Sequence, residues 1–179
     1  MGIELHILNW IQSIRTPWGD ALMPWITQLG SGGRVWILLA VVLFLNKKTR
    51  KSGVAIGIAM MLNVLFCNIL LKNLFGRIRP FDVNTSVRLL VHKPGDYSFP
   101  SGHTAVSFAA VSAVYFAGQT RIWKPALLLA VLIAFSRLYL YVHYPTDILG
   151  GVFLGILMGF LSCQILRWLQ AVHHSRIER

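Results

Sequence analysis

Three stretches of this 179-residue chain leave it few folds to choose from: VAIGIAMMLNVLFCNILL (54–71), ALLLAVLIAFSRLYLYV (126–142) and ILGGVFLGILMGFLSCQIL (148–166). Each approaches the ~20 residues that cross a hydrocarbon core of about 30 Å. The chain is 55% hydrophobic and only 13% charged, a balance foreign to ordinary soluble domains. Shorter apolar runs at 35–45 and 104–118 can also cross if their polar flanks lie at the interface. The fold expected is all-α: one integral membrane domain over 1–179, a polytopic transmembrane helical bundle of about six spans.

The N-terminus lacks a basic region followed by an apolar block and a small-residue cleavage site, so no removable signal peptide is expected. Instead Ile3, Ile7, Trp10, Ile11 and Ile14 recur at helical spacing, with Glu4, His6, Asn9, Gln12 and Arg15 between them. That pattern predicts an interfacial helix over 1–16. Pro17 and Pro24 interrupt the next segment, and 18–29 makes a short first span.

The formal net charge of +11 does not point to nucleic acid, because much of the excess sits in loops between apolar runs. Lys47, Lys48, Arg50 and Lys51 form one loop, Arg121 and Lys124 another, and Arg167, Arg176 and Arg179 lie in the tail. Basic residues gather on cytoplasmic loops, which places these clusters inside and 72–103 and 143–147 outside. The outer segments are nonetheless basic too, with Lys72, Arg77, Arg79, Arg88 and Lys93. Something there calls for positive charge. The segment from 76 to 99 exceeds the usual length of a connection and is a candidate functional loop. Cys67 and Cys163 fall inside predicted spans and read as reduced packing residues. No internal repeat or low-complexity segment is present.

Along alternating spans, Lys72, Arg79, Ser101, His103, Arg137, His143 and Asp147 all reach one side of the membrane. An ionisable residue near lipid costs about 2.5 to 3.5 kcal/mol on insertion scales, so their gathering from four helix ends asks for a function. In KNLFGRIRP, Lys72 and Arg79 lie seven residues apart, on nearly one face if the helix continues, about 10 Å from each other; Pro80 then ends it. Two such cations suit a phosphoryl group or a diphosphate, or they snorkel to water. In PSGH, Ser101 is a good N-cap, and the first N–H groups of the helix face outward at its N-terminus, where phosphate binds. Gly102 permits close approach and His103 supplies a proton near neutral pH; a plain capped helix is the alternative. In SRLYLYVHYPTD, Pro145 disfavours α conformation at Tyr144. The helix should therefore end near His143, and a turn should bring Asp147 back to it. Asp147 either fixes the imidazole tautomer, leaving the other nitrogen nucleophilic, or caps the next helix.

Taken together, these three blocks resemble the type 2 phosphatidic acid phosphatase family of integral membrane lipid phosphatases. Lys72–Pro80 matches K-x6-RP, Pro100–His103 matches PSGH, and Ser136–Asp147 matches SR-x5-H-x3-D, with no departure at any motif position. The resemblance covers roughly 72–147. It implies a mechanism without metal or other cofactor in which His143 attacks phosphorus and becomes a phosphohistidine, oriented by Asp147. His103 would protonate the leaving oxygen and later activate water. Lys72, Arg79, Arg137 and the N–H groups of Ser101 and Gly102 would hold the phosphoryl oxygens. The partner implied is a membrane lipid phosphate met in the bilayer. The lead GDYSFPSGHTAVSFAA is similar to that of bacterial members acting on undecaprenyl diphosphate or phosphatidylglycerophosphate. Phosphatidic acid and lipid A phosphates are the alternatives. The location implied is the plasma membrane, with the site on its extracytoplasmic face.

Other readings fit less well. An anion channel or transporter needs polar residues across the bundle, and the inner halves of the last three spans are nearly all apolar. A two-histidine, one-carboxylate metal site at His103, His143 and Asp147 would have neighbouring cations opposing the ion. Vanadate-dependent haloperoxidases share the three blocks on a soluble helical fold. A serine hydrolase at Ser101 lacks the G-x-S-x-G elbow.

Overall fold

A computed structural model describes residues 2–119 and 121–177; Arg179 and the side chain of Arg176, expected in the basic tail, lie outside it. Among the described residues all regular structure is helical. In chain order come α1 (Ile3–Ser13), α2 (Pro17–Gly30), α3 (Arg34–Leu45) and α4 (Arg50–Asn63), the last running through π-helical Val64–Leu71 into α5 (Lys72–Phe75). Beyond these are α6 (Pro80–Val83), α7 (Gly102–Phe116), α8 (Trp123–Tyr139) and α9 (Pro145–Ile177). Three helical stretches, Pro17–Leu45, Arg50–Val83 and Pro145–Val172, are long and apolar enough to cross a membrane, and α7 is a shorter apolar helix.

The core forms around α7, whose Ala105, Ala109, Ala110 and Ala113 are fully buried. Facing it, α9 carries glycine at 151, 155 and 159, one small residue per turn. A Cβ on Gly155 would strike the backbone oxygen of Ala105 and lie 2.8 Å from the nitrogen of Ala109. Small residues at this spacing let two helix backbones touch, which is how helices associate where no hydrophobic force separates lipid from protein. Trp36 on α3 reaches the same helix, its indole N–H donating to Ser107 Oγ at 2.9 Å. Cys67 and Cys163 are buried and unbridged, as expected.

The N-terminal quarter departs from expectation. The apolar pattern predicts two crossings, over 18–29 and 35–45, but both ends of α2 lie at the same end of the bundle. Thr16 N–H donates to the Tyr139 hydroxyl at 3.3 Å, and Gly30 packs against Ile133 and His103. Gly32 and Gly33, at φ 61° and 70°, then break the helix in a conformation glycine tolerates best. From there α3 descends antiparallel to α4, with Gly53 against the backbone of Ala40 and Phe44. A bent α2–α3 pair thus makes one path through the bundle.

Helix α1 lies at the same end. Its Leu5, Leu8 and Ile11 are buried, while Ile3, Ile7, Trp10 and Ile14 face outward, so the outward stripe is apolar, as an interfacial helix requires. The polar residues between are bonded into the protein: Gln12 donates to the Tyr139 carbonyl at 2.9 Å and Asn9 accepts from the Tyr141 hydroxyl at 2.7 Å.

Candidate functional site

Lys72 and Arg79 meet, though not by a continued helix. Gly76, at φ 55°, ends α5. Pro80 opens α6 rather than ending a helix, leaving Arg79 on an extended linker. Both cations converge on Asp96, which no motif singled out. One carboxylate oxygen pairs with Lys72 Nζ and the other accepts from Arg79 Nη2 at 2.6 Å. Lys72 and Arg79 are about as buried as the core, at 5% and 3% exposure. Burial pushes Asp96 upward, but hydrogen bonds and charge from Lys72 and Arg79 outweigh it and hold the carboxyl at about 2.

α8 ends at Tyr139, four residues before His143, because a Schellman motif stops it. Val142 N–H returns to Arg137 O at 3.2 Å and Tyr141 N–H to Leu138 O at 3.0 Å, with Tyr141 in the left-handed region at φ 59°. Glycine is the usual residue there; Tyr141 is held by its hydroxyl bonds to Asn9 and Asn84. The reversal delivers His143 and Asp147 face to face, Nδ1 to Oδ2 at 3.3 Å. Asp147 is placed for both roles considered for it. Oδ2 also accepts from Tyr144 N–H at 2.8 Å, as a carboxylate in the first turn does when it caps its own helix, and from the Ser98 hydroxyl. Oδ1 accepts from Arg77 Nη1 at 2.7 Å, and Arg77 is itself paired with Glu4. The carboxylate is fully buried. His143, in the turn between α8 and α9, is pushed well below the ordinary imidazole range by burial and then by Arg79, Arg137 and Lys72. A neutral ring with its proton on Nδ1, toward Asp147, presents a lone pair on Nε2, which lies 3.3 Å from Arg79 Nη1.

Ser101 requires a correction. It occupies the N-cap of α7, but its hydroxyl caps no backbone N–H and accepts instead from the Thr104 hydroxyl at 3.0 Å. Its own N–H donates to the Asp147 carbonyl at 3.1 Å. That bond ties α7 to α9 and leaves this N–H unavailable to an anion. Gly102 lines the cavity, and a Cβ there would come 3.1 Å from Asn68 Oδ1 and 3.8 Å from Lys72 Nζ. His103 faces the same space, its Nε2 3.3 Å from the Ser31 hydroxyl. Arg137, 5% exposed, donates from Nη1 to Thr27 at 2.6 Å, while its buried Nε has no partner.

These groups enclose one cavity of about 300 Å³ that brings Lys72, Arg79, Gly102, His103, Arg137 and His143 together. A buried donor without a partner is costly unless a ligand completes it, and Arg137, whose Nε is such a donor, is one of the residues lining the cavity. Asn63, whose buried Oδ1 is likewise unpartnered, lines the same space. Sequence reasoning missed Asp96, Ser98, Ser31, Thr27 and Asn63. Ser98 and Asp96 stand beside PSGH, but an acid in a basic loop reads as solvated. Ser31, Thr27 and Asn63 gave no signal, since each acts only through its placement in the fold. An arrangement of a carboxylate-oriented imidazole, a second imidazole and three cations can take a tetrahedral oxyanion and stabilise charge on its oxygens.

Comparison with known proteins agrees with this chemistry. The family model described as PAP2 superfamily matches residues 52–171. An undecaprenyl-diphosphatase of Sulfolobus acidocaldarius is 32% identical over 165 residues, 92% of this chain and 79% of that protein. Among solved structures, Aquifex aeolicus LpxE superposes with a TM-score of 0.79 at 31% identity, covering 92% of this chain and 96% of that one. A transmembrane PAP2-type phosphatidylglycerolphosphate phosphatase from Bacillus subtilis gives a TM-score of 0.74 at 30% identity, covering 90% and 83%.

Proposed function

The chain belongs to the PAP2 superfamily, and from that premise we propose that it hydrolyses a terminal phosphate or diphosphate on a membrane lipid through a phosphohistidine at His143. The observation that carries this reading is the pairing inside one cavity: a neutral, carboxylate-held His143 beside Arg79 and an unpartnered Arg137 Nε. Nε2 of His143 attacks phosphorus and the bond from phosphorus to the leaving oxygen breaks. His103, protonated once the substrate's phosphoryl charge has entered the cavity, gives its proton to that oxygen. His103, now neutral, takes a proton from water, which attacks the phosphohistidine; the P–N bond breaks and inorganic phosphate leaves. Lys72, Arg79, Arg137 and the N–H of Gly102 hold the oxygens as charge redistributes, since phosphoryl transfer is chiefly positioning and charge stabilisation. Asp147 keeps the ring in its attacking tautomer, and Ser31 orients His103.

The substrate is undecaprenyl diphosphate or phosphatidylglycerophosphate, a reading supported by the names of its relatives. Purified protein should release phosphate from a panel of lipid phosphates and diphosphates with EDTA present, and His143→Ala should release none while remaining folded. Full activity in a folded His143→Ala variant would contradict the assignment of the nucleophile.

In the membrane we read five crossings rather than six: the bent α2–α3 pair, the Arg50–Phe75 helix, α7, α8 and α9. α1 rests on the outer surface beside the site. Loop charges support placing the cavity at the extracytoplasmic face of the plasma membrane. A cysteine introduced at Ser86 should react with an impermeant reagent in intact cells and one at Lys47 should not. The reverse pattern would invert the orientation.

A further inference from the structure

Arg79 has five N–H donors, and all are engaged within the protein. Nε donates to Asp96 O at 2.7 Å and Nη1 to Val142 O at 2.7 Å, with His143 Nε2 at 3.3 Å. Nη2 donates to Asp96 Oδ1 at 2.6 Å and Tyr97 O at 3.3 Å. Lys72 is paired with the other oxygen of Asp96. Arg137 lines the cavity with its Nε unpartnered, whereas Lys72 and Arg79 are already holding an anion of the protein's own making. A phosphoryl group that takes the Arg79 Nη2 donor and the Lys72 N–H now on Asp96 must take the place of its carboxylate.

That exchange is mechanically simple. The Asp96 side chain is 55% exposed, so it can rotate out without disturbing the core. The backbone around it stays in place: Arg79 holds the carbonyls of Asp96 and Tyr97, and Ser98 N–H donates to Arg77 O at 2.8 Å. Pro94 and Gly95 precede it, and nothing lies within 4 Å of where a Cβ on Gly95 would be.

We propose that Asp96 is a specificity-determining residue, a resident carboxylate that yields its seat to terminal phosphates and diphosphates and denies it to the phosphodiester headgroups of the surrounding bilayer. The inference rests on the lipid phosphatase reading. A phosphodiester brings one negative charge on two free oxygens, as a carboxylate does, so the swap gains nothing and loses the tether. A terminal phosphoryl brings about −1.5 to −2 charge and three acceptor oxygens, enough for additional charge-assisted bonds to Arg137 and Lys72. An enzyme embedded in phosphodiester lipids needs such rejection, and an occupant that weak binders cannot displace supplies it by disfavouring the wrong ligand rather than favouring the right one.

The test uses the full chain in neutral detergent micelles with a lipid diphosphate substrate and phosphatidylglycerol as added competitor, comparing wild type with Asp96→Asn and Asp96→Ala. Wild-type phosphate release is measured first, and its absence would end the lipid phosphatase reading rather than this one. Removing the carboxylate should lower KM about threefold or more and lower the inhibition constant for phosphatidylglycerol about tenfold, since the seat is then open to single charges. A raised KM with a lowered kcat would make Asp96 a strut for Lys72 and Arg79, and an unchanged inhibition constant would equally overturn the proposal. Wild type alone gives a second measure that needs no variant. Inorganic phosphate should compete well and dimethyl phosphate poorly; equal competition would contradict the proposal.

Discussion

At the scale of the residue, the site distinguishes between cations of equal charge. Arg137 is anchored through Nη1 to Thr27 while its Nε stays unpartnered; a lysine has one nitrogen and cannot hold Thr27 and supply a second, separate donor. Arg137→Lys should therefore reduce kcat/KM about 10²- to 10³-fold, the usual cost of removing one preorganised oxyanion donor, measured by phosphate release. A loss below a few-fold would make Arg137 a remote charge. Asp96 is charged over the working pH range: its carboxyl is held near 2, so its contribution is present above the ordinary carboxylate pKa and fades only as pH falls toward 2. The effect of Asp96→Asn should accordingly not vary across neutral pH. The motif residues were legible because a charged group beside apolar sequence demands a reason. Ser101 was legible in position and misread in role, because its N–H is spent on a carbonyl 46 residues further along the chain, a partner that local sequence does not reveal.

Elements place these residues, and two of them do so by unusual means. Lys72 comes nine residues after Asn63, about two and a half turns of α-helix, which would set the pair on opposite faces. The π-helical Val64–Leu71 takes one more residue in each turn, so Asn63, Asn68 and Lys72 all line the cavity. The apolar run 54–71 announced a helix and could not announce its winding, since hydrophobicity on all sides carries no phase. The other means is the glycine seam of α9, which brings Ser101 within reach of the Asp147 carbonyl. Gly155→Leu should push the backbones of α7 and α9 apart, lower Tm markedly and cost activity in step. Gly57→Ala, where nothing lies within 4 Å, should be neutral or stabilising by about 0.5–1 kcal/mol. Equal effects of the two changes in a thermal melt would contradict the role given to the seam.

Over the whole molecule, charge divides by end. Glu4, Asp20, Asp82, Asp96 and Asp147 all lie toward the site and each is paired with a cation there, whereas the basic loop at 47–51 has no acidic partner among the described residues. All-helical architecture and one-sided convergence of the three blocks were readable from the chain, because long apolar runs and embedded charges are strong constraints. The path of the first 30 residues was not, because Pro17, Pro24 and the Gly32–Gly33 pair that follows permit several bends and only contacts with Tyr139 and His103 select one. The central claim, that this convergence makes His143 a nucleophile toward phosphorus, has a direct test. Wild-type protein turning over a lipid diphosphate is quenched in alkali, digested and mapped by mass spectrometry. A phosphoryl adduct is expected on the peptide containing His143 and none in His143→Ala; turnover with no adduct there, or an adduct on Ser101 instead, would contradict the claim.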